Sequence, residues 1–329
     1  MTPDELTQSI RAFQESRVLL TALELDVFTA AAPGAAAPAV AARCGTEPRA
    51  TERLLNAIVA LGLMHKREGV FENAPLAARF LVAGAPDDAR PALRHHVSLW
   101  RTWSTLTDAV RVGHAVAHEE MSVRRQDEWT EPFIAAMHRN ASERAPRLVS
   151  AIEAGTVSHL LDIGGGSGAY SIAFALANPR LKAEIIDLDT VVPIAERHIR
   201  EAGLTDRVTT RTGDLRRDEL GSGFDVALLS SICHMLGAHE NQDLLARVLR
   251  ALASGGRVVI SDFILEPDGT APRHAALFAL NMLVGTPTGS TYTEAEYADW
   301  LSGAGFTDVR RVRLDGPADL MVGQKPAAV

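Results

Sequence analysis

Residues 160–171, LLDIGGGSGAYS, constrain the fold more than any other part of this chain. Leu160, Leu161 and Ile163 make a short apolar strand with Asp162 near its end, and Gly164, Gly165 and Gly166 separate it from a helix-compatible run over 170–176. A strand, a glycine loop and a helix start let a ligand approach the backbone closely. Glycine carries no Cβ and tolerates positive φ, and the first turn of a helix presents unpaired N–H groups. Gly164, Gly166 and Ala169 also satisfy a loose dinucleotide fingerprint, and a glycine run can equally be a tight turn, so the stretch alone does not name the ligand.

The next residues narrow the choice. Ile185 and Ile186 lead into Asp187, the run 208–212 into Gly213 and Asp214, the run 226–229 into Ser230, Ser231 and then His234, and the run 258–260 into Asp262. Each apolar run stops at a polar group. In an open parallel α/β sheet ligands bind outside the carboxyl ends of the strands, so these groups are expected to face one crevice. Taken singly, Asp and Ser are ordinary turn formers; it is the series that points to a site.

A chain of 329 residues suggests about two domains, and the pattern changes near Val157, giving an expected division into 1–156 and 157–329. The net charge of -8 argues against a general affinity for nucleic acid or acidic membranes. Cys44 and Cys233 cannot make a disulfide framework and fit a reducing compartment. The opening MTPDELTQSIRAF lacks a basic segment followed by an apolar core, and the alanine-rich stretch 30–42 is interrupted by Pro33, Gly34 and Pro38, so a cytoplasmic protein without a membrane span is expected.

Before the division, apolar residues at helical spacing predict a helix over 13–28, a second near 38–43 and a third over 51–61 with Leu54, Leu55, Ile58 and Val59 on one face. Runs 63–66 and 70–72 around Glu68 and Gly69 read as a hairpin. Helix, helix, helix, hairpin is the winged-helix order, which leaves two readings open: a ligand-responsive DNA-binding regulator, or a contact between subunits. Arg49, Arg53, Lys66 and Arg67 are a thin basic set for DNA, which favours the subunit contact. A longer amphipathic helix is expected within 88–117, carrying His95, His96, Trp100 and Trp103 as core, followed by a polar surface connection over 118–129.

After the division strand and helix alternate, the α/β signature. Gly255 and Gly256 are expected to close the helix that carries Leu244, Leu245, Val248 and Leu249. Thr293 with Glu296 makes a capping box. Runs 309–314 and 318–322, joined through Asp315, Gly316 and Pro317, predict an antiparallel pair at the end of the sheet, which favours the methyltransferase variant of the fold over the parallel NAD-binding one.

The chain resembles the S-adenosylmethionine-dependent small-molecule O-methyltransferases of the caffeate and hydroxyindole type, including their bacterial relatives. The first half echoes that family in LLTALELDVF and RATERLLNAIVALGLMHKREGVFE. The second half does so in LLDIGGGSG, IIDLDTV, TGDL, SSICHML, GGRVVISDFIL and TYTEAEYADWLSGAGF. The resemblance implies a Rossmann-like sheet, parallel with an antiparallel C-terminal strand, preceded by a helical winged-helix dimerisation domain. It also implies a homodimer, S-adenosylmethionine as donor and a small-molecule acceptor.

Residue by residue, the resemblance places Gly164, and with it Gly166, beside the donor, and Asp187 on its ribose hydroxyls, where a carboxylate can accept two hydrogen bonds from a cis diol. Asp214 and Leu215 match the positions that hold the adenine, and Ser230 stands where many members carry lysine. His234 matches the catalytic base and Asp262 the acid that orients it. Thr291 occupies the position of a second acid, where a hydroxyl cannot supply negative charge. Phe133, Met137, Asn140, Asn281 and Met282 match the acceptor pocket, which points to an aromatic or polyketide-like hydroxyl compound. No metal is expected, since no His, Cys and carboxylate cluster has metal-ligand spacing. Methylation at carbon, or other use of the same donor, stays open beside methylation at oxygen.

Overall fold

The computed structural model describes residues 1–116 and 125–327, with backbone only for 125–129. Residues 118–124 of the expected surface connection lie outside the described residues, whereas 125–129 are not a connection but the first turn and a half of a helix, Arg125–Ala151. Packing divides the chain into two compact units, Met1–Trp100 and Arg101–Val329.

The first unit runs α1 (Pro3–Arg11), α2 (Phe13–Glu24), α3 (Val27–Ala31), β1 (Ala35–Ala36), α4 (Ala37–Cys44), α5 (Pro48–Ala60), β2 (Met64–Arg67), β3 (Val70–Asn73) and α6 (Pro75–Phe80), then enters α7 (Arg90–Trp103). The hairpin β2–β3 gains β1 as a third antiparallel strand, in the order β1-β3-β2. Phe28, Val40, Leu55, Ile58, Met64 and Phe71 form the core of this unit. The single helix expected over 13–28 is two. Asp26 takes a left-handed φ of 53°, and its carboxylate accepts from Thr29 Oγ1 at 2.8 Å and Arg90 Nη1 at 2.6 Å. The long helix expected within 88–117 is likewise broken into α7 and α8 (Leu106–Val112). There the Thr105 hydroxyl donates to the Thr102 carbonyl at 2.7 Å, a local bond that competes with helix continuation.

The second unit continues with α9 (Arg125–Ala151), β4 (His159–Ile163), α10 (Ala169–Ala177), β5 (Lys182–Asp187), α11 (Val192–Glu201), β6 (Val208–Thr212), β7 (Phe224–Ser230), α12 (Ala238–Ala251), β8 (Leu252–Asp262), β9 (Ile264–Leu265), α13 (Arg273–Gly285), β10 (Tyr292–Thr293), α14 (Glu294–Ala304), β11 (Thr307–Val312) and β12 (Asp319–Gln324). A seven-stranded sheet of order β11-β12-β8-β7-β4-β5-β6 forms its centre. β12 is antiparallel to both neighbours, and the strands from β8 to β6 pair in parallel. The architecture is therefore the expected Rossmann-like methyltransferase sheet preceded by a helical unit.

Adjacent residues explain the continuous apolar runs. Leu161, Leu229 and Ile260 pack under α12 and α14 on one face, while Leu160, Leu228 and Val259 pack under α9, α10 and α11 on the other. Packing divides the chain at 100/101, whereas the expected division lay at 156/157. The difference is α9, which buries Ala145, Leu148 and Ile152 in the sheet unit. Gly255 and Gly256 do not end a helix. α12 stops at Ala251, and both glycines lie inside β8, where a Cβ on Gly256 would come within 3.0 Å of the Phe224 carbonyl oxygen. The capping box forms as expected, with Thr293 N–H donating to Glu296 Oε2 at 2.7 Å. Among the described residues no helix is long and apolar enough to cross a membrane.

Phe174 on α10 is fully enclosed between α9 and the sheet. Phe174→Ala is expected to lower the unfolding free energy by ~3–5 kcal/mol, seen as an earlier midpoint in urea denaturation.

Candidate active site

β4 sits at the switch point of the sheet, with β5 on one side and β7 on the other, so the loop after Ile163 opens into the crevice between diverging connections. Gly164 N–H donates to the Ile186 carbonyl at 2.7 Å. Its φ is +66°, and a Cβ there would lie 2.4 Å from Ile232 Cδ1 and 3.4 Å from Leu215 Cδ2, so any side chain would be strained and would displace Ile232. Gly166 N–H donates to Asp187 Oδ2 at 2.7 Å, and Leu188 N–H to Oδ1 at 2.8 Å. Burial pushes the Asp187 carboxyl up, and these two N–H groups oppose it. Gly213 N–H donates to the Asp187 carbonyl at 2.9 Å, which brings Asp214 alongside. The Asp214 carboxylate accepts from Arg216 N–H at 2.9 Å. Ser230, at the end of β7, lies within hydrogen-bonding reach of the Tyr170 phenol.

The structure therefore gathers Gly164, Gly166, Asp187, Asp214 and Leu215 around one crevice mouth. A group with a cis diol and a positive charge suits this donor set. Asp187 and Asp214 offer carboxylate oxygens, and beneath the loop Asp162 keeps Oδ1 without a partner while Ser171 donates to Oδ2 at 2.7 Å. Beside Gly166 a Cβ would meet nothing nearer than Ile134 Cδ1 at 3.9 Å, which leaves the loop open to close approach. These residues fit an adenosyl sulfonium.

His234 lies in the 3-10 turn Cys233–Met235. The buried Asn241 side chain braces that turn by donating to the Cys233 and Leu236 carbonyls at 3.0 and 3.2 Å. His234 Nδ1 stands 2.7 Å from Asp262 Oδ1, with the imidazole 6% and the aspartate 2% exposed. The carboxylate also accepts from His234 N–H at 3.2 Å and Phe263 N–H at 2.8 Å. A carboxylate facing Nδ1 assigns the proton to that nitrogen and leaves Nε2 as an acceptor.

Thr291 is buried, but its hydroxyl donates to the Ala275 carbonyl at 3.1 Å and adds nothing to the imidazole. Sequence reasoning missed the rings that do touch it. Phe278 meets His234 edge-on at 4.8 Å, and Phe263 stacks at 6.3 Å. It also missed Tyr297, fully enclosed near Asp262. Burial first, and then the Asp262 charge, push its phenol well above the ordinary range. No sequence period marks such contacts, because they join strand ends to helices far along the chain.

The acceptor candidates are less closely gathered. Asn281 accepts from Trp103 Nε1 at 2.8 Å and Met282 is buried on the same helix. Phe133 packs against Ile134, Val191 and Ile194. Met137 is half-buried and Asn140 is exposed.

Residues 103–307 match the model of the O-methyltransferase domain, and residues 7–83 that of the O-methyltransferase dimerisation domain. A 3-hydroxy-5-methyl-1-naphthoate 3-O-methyltransferase of Streptomyces sahachiroi is 36% identical, over 96% of this chain and 92% of its own. An L-tyrosine C(3)-methyltransferase of Streptomyces lavendulae is 29% identical over 91% and 85%. The solved structure of PigF with SAH superposes with a TM-score of 0.88 at 27% identity, over 99% of this chain and 100% of that one.

The Asp162 carboxyl, 1% exposed, has its pKa pushed up to about 6 by burial. An acid whose folded value lies above its unfolded value of ~3.9 stabilises the fold when protonated. Its contribution is therefore full below pH ~4 and lost as pH rises through about 6. Asp162→Asn is expected to flatten that part of the stability profile, measured by urea unfolding between pH 4 and 8; an unchanged slope would reject the assignment.

Proposed function

We infer the activity from a premise the matches establish: the chain belongs to the O-methyltransferase family and is an S-adenosylmethionine-dependent methyltransferase acting on a small molecule. The finer reading is that it methylates a hydroxyl of an aromatic or polyketide-like metabolite, with His234 as general base. The observation that carries this reading is the buried pair His234 Nδ1 and Asp262 Oδ1 at 2.7 Å.

Bound S-adenosylmethionine supplies a methyl group already activated by its sulfonium. The chain's own part is to hold and align. Gly164 and Gly166 admit the donor, Asp187 takes the ribose hydroxyls, and Asp214 and Leu215 hold the adenine. Ser230 takes the place of the more common lysine. Holding two reactants in line is worth ~7–11 kcal/mol of barrier. Asp262 keeps the proton on Nδ1, so Nε2 is free to take the proton of the acceptor hydroxyl as its oxygen attacks. A phenol of ordinary pKa ~10 is mostly protonated at neutral pH, so a base is needed to take its proton as the oxygen attacks. Thr291 is bound to the Ala275 carbonyl, so Asp262 alone carries the negative charge that turns the base.

Phe133, Met137, Asn140, Asn281 and Met282 supply the acceptor pocket in this reading, with Phe263 and Phe278 beside the imidazole. Rings of this kind suit a flat aromatic acceptor, and the most similar relative named above acts on a hydroxynaphthoate. Methylation at carbon is the second reading, because a tyrosine C-methyltransferase shares the scaffold over most of its length. The unit Met1–Trp100 serves pairing of two chains in this proposal. Lys66 of its basic set is bound to Glu52 at 2.8 Å and Asn56 at 3.0 Å rather than held free for a phosphate.

His234→Ala is expected to lower turnover ~10²- to 10⁴-fold while S-adenosylhomocysteine affinity, by calorimetry, stays within a few-fold. Unchanged turnover would remove His234 as base. Fragmentation mass spectrometry of the product is expected to place the new methyl on oxygen, and a methyl on ring carbon would select the second reading. Light scattering is expected to give a mass of two chains.

A further inference from the structure

Among the described residues, one cation, Arg144, stands over the rings beside the imidazole. On α9, positions 133, 137, 140 and 144 fall on one stripe of the helix, so Arg144 extends the row of acceptor candidates. Its guanidinium lies 5.7 Å over the ring of Phe263. Phe263 in turn stacks on His234 at 6.3 Å and meets Phe278 at 4.6 Å. On its other side Arg144 lies near the Tyr170 phenol, which burial pushes up while the Ser230 hydroxyl and the Arg144 charge oppose that rise; Tyr170 follows the glycine loop. Arg144, Tyr170 and Ser261 line a small cavity of about 30 Å³ together with Arg147, Asp315 and Ala318.

Among the described residues no carboxylate forms an ion pair with this guanidinium, and Asp315, which lines the same cavity, makes none with it. Among the described residues, every other half-buried arginine donates to a carboxylate or a backbone carbonyl. Arg144 has its aromatic contact with Phe263 and neither kind of acceptor. A partly desolvated cation with its N–H fork unanswered is costly to keep unless a ligand completes it, and the fork matches a carboxylate in two parallel hydrogen bonds.

We propose that Arg144 is the carboxylate anchor of the reaction site, placed between the glycine loop and the imidazole to take an acidic group. That group belongs either to the amino-acid end of the donor, on the Tyr170 side, or to the acceptor, on the Phe263 side. The proposal rests on the methyltransferase reading above. It adds a specificity contact that lysine reproduces only in part, because an ammonium keeps the charge without the planar fork.

Calorimetry on the full chain separates the sources. Arg144→Gln and Arg144→Lys are each titrated with two ligand pairs: S-adenosylhomocysteine against methylthioadenosine, which lacks the amino-acid end, and 3-hydroxy-1-naphthoate against 2-naphthol, which lacks the carboxylate. If the anchor serves the donor, Arg144→Gln weakens S-adenosylhomocysteine at least ~10-fold and leaves methylthioadenosine unchanged, with Arg144→Lys in between. If it serves the acceptor, the same split appears in the naphthalene pair and the donor pair is untouched. Equal effects on both members of each pair, or no effect, overturn the anchor. Wild-type chain that takes up no S-adenosylhomocysteine overturns the methyltransferase reading itself, and with it this inference.

Discussion

A parallel sheet covered on both faces has room for polar side chains only where its strands stop. In this chain the rule accounts for most of the candidate site. Leu160 and Leu161, Leu228 and Leu229, and Val259 and Ile260 each send one side chain into either apolar layer. Charge is thereby pushed to the carboxyl ends, where Asp187, Asp214, Ser230 and Asp262 emerge beside the glycine loop. One exception within the sheet is Asp162, enclosed next to the loop with one oxygen unanswered among the described residues. Its burial is a cost accepted at the point of closest ligand approach.

The second dependence is on the turn that carries His234. Asn241 satisfies the two carbonyls of that turn from inside the core, and Asp262 takes both the imidazole and the backbone of the same residue. The imidazole is held through Nδ1 by Asp262, on a turn whose backbone Asn241 and the same carboxylate fix, and this favours one tautomer and one direction. The substitution of an acid by Thr291 is tolerated locally because the Ala275 carbonyl uses its hydroxyl. Among the described residues a single buried carboxylate, Asp262, bonds to the imidazole, where the resemblance led one to expect two acids.

The unit Met1–Trp100 shows how local chemistry overrides periodicity. Apolar spacing from Phe13 to Phe28 is continuous, yet Asp26 turns left-handed because its carboxylate is drawn to Arg90 and Thr29. Gly255 and Gly256 misled in the opposite sense. They resemble a helix stop, but serve a strand whose backbone passes too near the Phe224 carbonyl to carry a side chain. In both places the deciding partner is distant in sequence.

The strands, their order of polar endings, the glycine loop, the capping box, the antiparallel pair at the sheet edge and the hairpin of the first unit were all legible from residue order. Each is governed by near neighbours: a period of two, a cap three residues away, a turn between adjacent runs. Tertiary structure alone decided which rings face His234, that Thr291 points to Ala275, that α9 belongs with the sheet unit, and that Arg144 has no ion pair among the described residues. Those outcomes depend on side chains brought together by chain closure over long separations, where packing and desolvation choose the partner and no local pattern records the choice.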